Sequence, residues 1–251
     1  MSFIGKIKNS RTLLKTKLSS EWDTSIISDY SENEIEKLYN IKTLKNSRFP
    51  FGKASNLNFT LTNRVITNHK LHVIYYNFPE INLPPSKITK QCADKINKLY
   101  LDGVVEAEDS ILLIITDSIS ENLGKAIENL YYSGQELLKI DKLSDDILDQ
   151  NEMLGKDKYR LNYFRNIHIF DINHLSFDIS ENFTVPEHKP IRKSHEIAEI
   201  LEKTNTKSGQ LPVILRTDAM AKLIRLCPGD ICEINRKSER CGEYKYYRIC
   251  K

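Results

Sequence analysis

The stretch Leu211–Lys251, LPVILRTDAMAKLIRLCPGDICEINRKSERCGEYKYYRICK, decides the fold of the C-terminal quarter. An extended lead-in at Leu211 runs to Asp218, whose carboxylate can cap a helix by accepting from the free N–H groups of its first turn. Leu223 and Ile224 supply the apolar positions, giving an expected helix over Asp218–Leu226. Pro228-Gly229 should stop it, because proline cannot continue a helix and glycine accepts a positive φ. From Asp230 the period changes to two. Cys232, Ile234 and Arg236 then share one strand face, with Ile231, Glu233 and Asn235 on the other. Lys237–Gly242 reads as a turn, and Tyr244–Cys250 as the returning strand, rich in the tyrosine and isoleucine that strands favour. A helix and hairpin of this size bury too little apolar area to stand without neighbours.

Upstream, Ser194–Thr204 reads as a helix burying Ile197, Ile200 and Leu201. Pro186 and Pro190 bracket a polar stretch that resists regular structure, so a boundary is expected near Phe183–Pro190, separating residues 1–182 from 183–251. Several segments, in order, resemble one family: Val185-Pro186-Glu187-His188, Leu211-Pro212, Arg216-Thr217-Asp218, Lys222-Leu223-Ile224, Pro228-Gly229-Asp230, Arg236-Lys237-Ser238 and Tyr246-Tyr247-Arg248-Ile249. They are similar to the assembly domain of the fifth shared subunit of eukaryotic nuclear RNA polymerases, a family that includes the archaeal counterpart of that subunit. The family usually has proline after the capping aspartate, where this chain has Ala219, itself an excellent helix former.

The resemblance implies a non-catalytic polymerase subunit whose assembly domain docks on the largest subunit. It implies further polymerase subunits as neighbours, and downstream DNA beside an N-terminal α/β jaw. Pro186, His188, Arg216, Asp218, Lys222, Arg236, Tyr246, Tyr247 and Arg248 are the residues expected at the docking surface, acting through charge-assisted hydrogen bonds and aromatic burial. No cofactor and no small-molecule substrate is implied. The enzyme is either a nuclear one or that of a large DNA virus, acting in the nucleus, or in a viral factory, the cytoplasm or the virion.

The rest of the chain reads as a mixed α/β domain. Ser10–Leu18 and Ser31–Tyr39 are expected helices, the second opened by Ser31 with Glu32 and Glu34 in its first turn. Arg11, Lys15 and Lys17 read as a solvated helix face. A loop is expected over Phe49–Ser55, strands at Leu57–Thr62 and His72–Phe78, and a helix over Ile88–Leu99, preceded by Pro84-Pro85 and closed by Gly103. Ile111–Thr116 has the near-continuous apolar pattern of a strand buried on both faces. A helix over Ser120–Leu130 and a strand over Asn166–Ile172 complete an α/β layer. Lys139–Lys158, charged and weakly periodic, is a helical insertion or a loop.

Charge is uneven. The formal net charge of +3 combines +5 from Thr184 onward with −2 before it. A basic module suits an acidic protein surface or nucleic acid, although by charge alone a mildly charged surface is the better explanation. Apolar runs such as Ile111–Ile115 fall far short of the ~20 residues of a membrane span. The N-terminus lacks the apolar core of a secretion signal, so an intracellular protein with free thiols is expected.

Two chemical readings compete with the docking one. Asp230, followed after twelve residues by Glu243-Tyr244-Lys245, resembles the metal-dependent nuclease arrangement in which two carboxylates hold a divalent ion and a lysine positions water. Ordinary turn chemistry accounts for the aspartate better, and a Glu/Lys pair two apart is common on a wet strand face. Cys227, Cys232, Cys241 and Cys250 crowd the C-terminal quarter, yet no close Cys-x-x-Cys knuckle marks a zinc site. The six histidines suggest surface or turn roles, and Glu106, Glu108 and Asp109 a solvated loop.

Overall fold

A computed structural model describes residues 2–41, 48–80, 83, 87–238 and 242–251. Among them the chain divides into two compact units, one of residues 1–144 and 167–177, the other of 145–166 and 178–251. Pro84-Pro85 and Cys241 lie outside the described residues, as does the tip of the C-terminal turn.

The first unit is a four-stranded sheet ordered β1-β2-β3-β4, built from Phe59–Thr62, Lys70–Tyr76, Ser110–Ile115 and Ile167–Asp171. β1 pairs antiparallel with β2, whereas β2, β3 and β4 are parallel. The apolar run of β3 is buried throughout, because strands flank it and both sheet faces are covered. Helices α3 (Gln91–Leu101) and α4 (Glu121–Asp141) cover one face, where Ile96, Leu123, Ile127 and Leu130 meet Ile111, Leu113, Ile115, Ile167 and Ile169. Helix α1 (Phe3–Leu18) reaches Tyr75, whose side chain alternates to the other face, through a 2.9 Å hydrogen bond between the Ser10 and Tyr75 hydroxyls. Helix α2 (Glu32–Asn40) opens on a capping box: Ser31 Oγ accepts from Glu34 N–H and the Glu34 carboxylate accepts from Ser31 N–H.

Several sequence expectations change here. Helix α1 begins seven residues earlier than Ser10, capped by Ser2. Arg11 is not solvated: it is buried, donating to Leu57 O with its guanidinium over the rings of Tyr30 and Phe59. The Phe49–Ser55 stretch leads into a 3-10 turn at Lys53–Leu57. Helix α4 continues to Asp141, since Leu130, Tyr131, Gly134, Gln135 and Leu138 extend its buried stripe. Glu108 and Asp109 are buried, not a wet loop, and so are His69, His72 and His168. Asp109 accepts from Lys70 N–H at 2.8 Å and lies 2.9 Å from His72 Nε2, while Ser144 donates to Glu108 at 2.5 Å. A buried carboxylate with such donors is a structural tie.

The second unit is also a four-stranded sheet, ordered β5-β7-β8-β6, from Glu187–Ile191, Ile231–Ser238, Gly242–Cys250 and Val213–Ile214. The stretch expected to resist regular structure is edge strand β5, where Pro190 is tolerated because an edge needs no further ladder donor. β7 and β8 form the expected hairpin, with Ile231 opposite Ile249 and Lys237 opposite Glu243. Helix α6 (Ser194–Lys203) packs Ile197, Ile200 and Leu201 against Ile231, Ile249 and Tyr247 on one face. Helix α7 (Ala219–Leu223) lies on the other, with Ala221 and Ile224 against Cys232, Ile234, Cys250 and Tyr246. Asp218 caps α7 by accepting from Met220 and Ala221 N–H.

Helix α7 ends well before Pro228, at Leu223 with Ile224 as its C-cap, because Arg225 turns left-handed at φ 55°. That terminus returns Leu226 N–H to Ala221 O at 2.8 Å. The charged stretch within Lys139–Lys158 is helical: the end of α4, then α5 (Asp145–Met153). Among the described residues no helix is long and apolar enough to cross a membrane.

Candidate functional site

The Pro228-Gly229-Asp230 turn is the hub of the second unit. Asp230 is 3% exposed, and its carboxylate accepts from Cys227 N–H at 2.9 Å and from the Arg160 guanidinium, with Arg192 Nε at 3.4 Å. Burial pushes the Asp230 carboxyl up, while Arg192 and Arg160 pull it down. The positive φ of +87° favours glycine at 229, and a Cβ there would also lie 2.7 Å from Arg160 Nη1, displacing the end of that side chain. The turn is tied to the chain's end, for Gly229 N–H donates to Cys250 O and Cys250 N–H to Asp230 O.

Around it sits a buried polar network supplied largely by residues 160–166. Asn162 donates to Pro228 O at 2.9 Å. Asn166 donates to Arg225 O at 3.2 Å and accepts from Arg216 Nη2 at 2.8 Å. Arg192 also donates to Arg225 O, at 3.0 Å. Burial lowers the Arg225 guanidinium to about 10, with Arg192 and Arg216 nearby acting in the same direction. These ties satisfy the carbonyls of a strained left-handed corner, which a buried backbone requires.

The hub does not assemble a nuclease centre. Glu243 and Lys245 do share one strand face, but they pair with Lys237 at 3.5 Å and Glu233 at 3.1 Å. Asp230 adjoins the Ile231 end of the hairpin and Glu243 lies opposite Lys237, six strand residues away, or roughly 20 Å at the rise of a strand. One ion cannot span that separation. Among the described residues no group of three His, Cys, Asp or Glu could hold a metal. Cys227, Cys232 and Cys250 are buried thiols pushed up to about 12 by desolvation, which keeps them neutral.

The surface of the unit offers different chemistry. Register places Arg236, Tyr246 and Arg248 on the α7 side of the hairpin, with Tyr244 opposite Arg236. The Tyr246 ring is flanked by two guanidiniums, Arg236 at 4.9 Å and Arg248 at 5.4 Å from its centroid. Arg248 is further held by Val213 O at 3.3 Å. Tyr244 is 41% exposed and Leu215 61%. A partly buried aromatic between two arginines, with apolar side chains on the same unit, is the composition of an interface anchor.

Other residues expected at a docking surface fall elsewhere. Tyr247 faces α6 and donates to Glu233 at 3.2 Å. Arg216 is interior, while Asp218 is the exposed cap of α7 and Lys222 belongs to its last turn. Pro186 precedes β5, and its carbonyl accepts from His188 Nδ1 at 2.7 Å. Sequence patterning does not single out Arg160, Asn162, Asn166, Arg192 or Arg225. The one signal near the first three is polar residues beside Tyr163 and Phe164, a pattern equally ordinary on a surface.

Comparison with known proteins places this unit. Residues 177–250 match the family described as RNA polymerase Rpb5, C-terminal domain. The chain is 42% identical over 73 residues to the DNA-directed RNA polymerase subunit Rpo5 of Pyrococcus abyssi, covering 29% of this chain and 88% of that protein. Rpo5 of Aeropyrum pernix is 43% identical over 71 residues, 28% of this chain and 78% of that protein. Rpo5 of Methanosphaera stadtmanae is 39% identical over 77 residues, 31% of this chain and 99% of that protein. Because the matched stretch is the hub, its hairpin and both flanking helices, and spans most of each archaeal protein, the chain belongs to the Rpb5/Rpo5 family of RNA polymerase subunits.

Proposed function

We propose that the protein is a non-catalytic subunit of a multisubunit DNA-directed RNA polymerase. One observation carries the reading: the stretch shared with the Rpo5 proteins accounts for 88% of the Pyrococcus abyssi subunit. What makes those chains polymerase subunits therefore has its counterpart in residues 177–250 here.

Residues 183–251 form the assembly domain and dock on the largest polymerase subunit, with other subunits nearby. Arg236, Tyr246 and Arg248 form the centre of the docking face, where guanidiniums pair with carboxylates or backbone carbonyls of the partner. Pro186, His188, Asp218, Lys222 and Tyr247 flank it, and Arg216 holds its scaffold from inside. Residues 1–182 act as the jaw-like part beside downstream DNA. The protein works where its polymerase transcribes: the nucleus for a cellular enzyme, the factory, cytoplasm or virion for a viral one. Size-exclusion chromatography of the purified chain with the largest subunit from the same source tests this directly. Co-elution supports docking on that subunit, and separate elution at micromolar concentrations contradicts it.

A further inference from the structure

Strand β7 (Ile231–Ser238) outruns its neighbour β5, which pairs only with its first part, from Ile231 to Asn235. Arg236, Lys237 and Ser238 are therefore laddered on one side only, to β8. Their orientation follows from the other end of the hairpin. There Cys250 N–H donates to Asp230 O, while Ile249 N–H turns away from β7 and donates to Pro212 O. Alternation along an antiparallel ladder then aims the backbone groups of 232, 234, 236 and 238 at β8, and those of 231, 233, 235 and 237 at the row of β5. Pro190, which has no N–H, accordingly sits opposite Cys232, where β5 owes β7 no donor. Past Asn235 that row is open. The backbone N–H and C=O of Lys237 face it, and no backbone group of the described residues pairs with them there.

The chain itself turns out of that row. Register would set Val185 opposite Lys237. Instead Val185 N–H donates to Asn182 O at 2.8 Å and Thr184 N–H to Asn182 Oδ1 at 3.0 Å, closing a turn before Pro186. A groove of about 840 Å³ lies between this turn and the hairpin. Phe183, Val185 and Pro186 form one wall, with Phe183 98% exposed. Arg236, Lys237 and Glu243 form the other. Glu243 is taken by Lys237 at 3.5 Å, whereas the Arg236 guanidinium lies over the Tyr246 ring and forms no ion pair with a described carboxylate. The remaining edges of the sheet are blunted, as soluble sheets require. Beside β6, Val213 O accepts from Arg248 and Leu215 O from Asp218 N–H, and Pro190 interrupts β5.

We infer that a partner protein lays an extended segment into this groove as an added strand, in line with β5 and paired with Lys237. An apolar side chain of the segment packs on Phe183 and a carboxylate pairs with Arg236. A strand is the occupant because the groove offers an open ladder position and not apolar surface alone. Glu181 and Glu187 also line it, so the fitting chemistry is a single carboxylate and not an acidic run. The inference rests on the docking reading above for the source of the segment, the largest polymerase subunit.

The experiment titrates the full chain with a short synthetic peptide, Lys-Thr-Val-Glu-Val-Thr-Lys, and with the same peptide N-methylated throughout, which cannot form a ladder. It reads ¹⁵N-resolved amide shifts and amide hydrogen exchange. The expected result is a saturable shift at Phe183, Lys237 and Glu243, slower exchange of the Lys237 N–H, and no binding of the methylated peptide. Phe183→Ala removes only an exposed ring and should weaken binding several-fold. Arg236→Glu should weaken it at least about tenfold, the scale of one hydrogen bond to a charged group. No saturable shift, or equal binding of the methylated peptide, overturns the inference. Co-elution with the largest subunit is read separately. Peptide binding without co-elution supports the groove and contradicts the docking reading, and co-elution without peptide binding overturns the added strand.

Discussion

The guanidinium of Arg160 donates to the carboxylate of Asp230 across 70 residues of sequence. It closes the second compact unit with a segment, 145–166, that lies upstream of the family-matched residues 177–250. Asp230 is thereby a structural anchor: it also accepts from Cys227 N–H and faces Arg192.

Replacing Asp230 with alanine leaves these donors buried without their acceptor. Equilibrium urea unfolding should show a loss of about 3 kcal/mol, the usual scale for breaking a buried pair from one side. Magnesium-dependent cleavage of DNA should be absent from wild type and variant alike.

Gly229→Ala meets a positive φ and the Arg160 guanidinium together. About 1–3 kcal/mol of destabilisation is expected from that conformation. Gly229→Ala combined with Arg160→Ala should be no more stable than Gly229→Ala, because the φ constraint remains and the Arg160–Asp230 pair is lost as well; thermal melts of both variants decide the matter.

Asn166 joins Arg225 O to the Arg216 side chain. Asn166→Leu keeps the bulk and removes these bonds; Arg225 O keeps its donor Arg192, but the buried Arg216 guanidinium loses this acceptor, so a loss of about 1–3 kcal/mol is expected. Differential scanning calorimetry measures it.

The buried thiols set an alkaline limit. Desolvation raises Cys227, Cys232 and Cys250 from the ordinary 9.0 to about 12. A raised folded-state value means the folded protein holds the proton more tightly. Their contribution is therefore complete below pH 9 and declines as pH rises towards 12. Urea midpoints should fall across that window, and replacing the three thiols by alanine or valine should flatten the fall.

Much of the second unit is legible in the sequence. Asp218 has a carboxylate at the right place to cap α7, and the period-two alternation from Ile231 fixes which residues face each helix. The α/β layer of the first unit is equally visible in the apolar run of β3. What stays hidden depends on contacts distant in sequence. Arg11 reads as solvated because local spacing does not show that Tyr30 and Phe59 close over it. Asp109 and His72 read as unrelated polar residues until adjacent strands bring them together. Arg160, Asn162 and Asn166 carry no local mark of their partners at Asp230, Pro228 and Arg216. The helix end at Arg225 escapes sequence reading because a left-handed arginine is held by tertiary hydrogen bonds and not by its own propensity. On the proposed docking face, alternation puts Arg236 on the Cys232 side of β7, but the flanking of Tyr246 by Arg236 and Arg248 emerges only once the hairpin register is known.

The central claim is tested most directly by affinity purification of the tagged full-length protein from its native host or infected cell at moderate salt, with mass spectrometry of the eluate. The account predicts stoichiometric recovery of two very large polymerase subunits, reduced when Arg236 and Arg248 are both changed to glutamate. Recovery of the protein alone would contradict it.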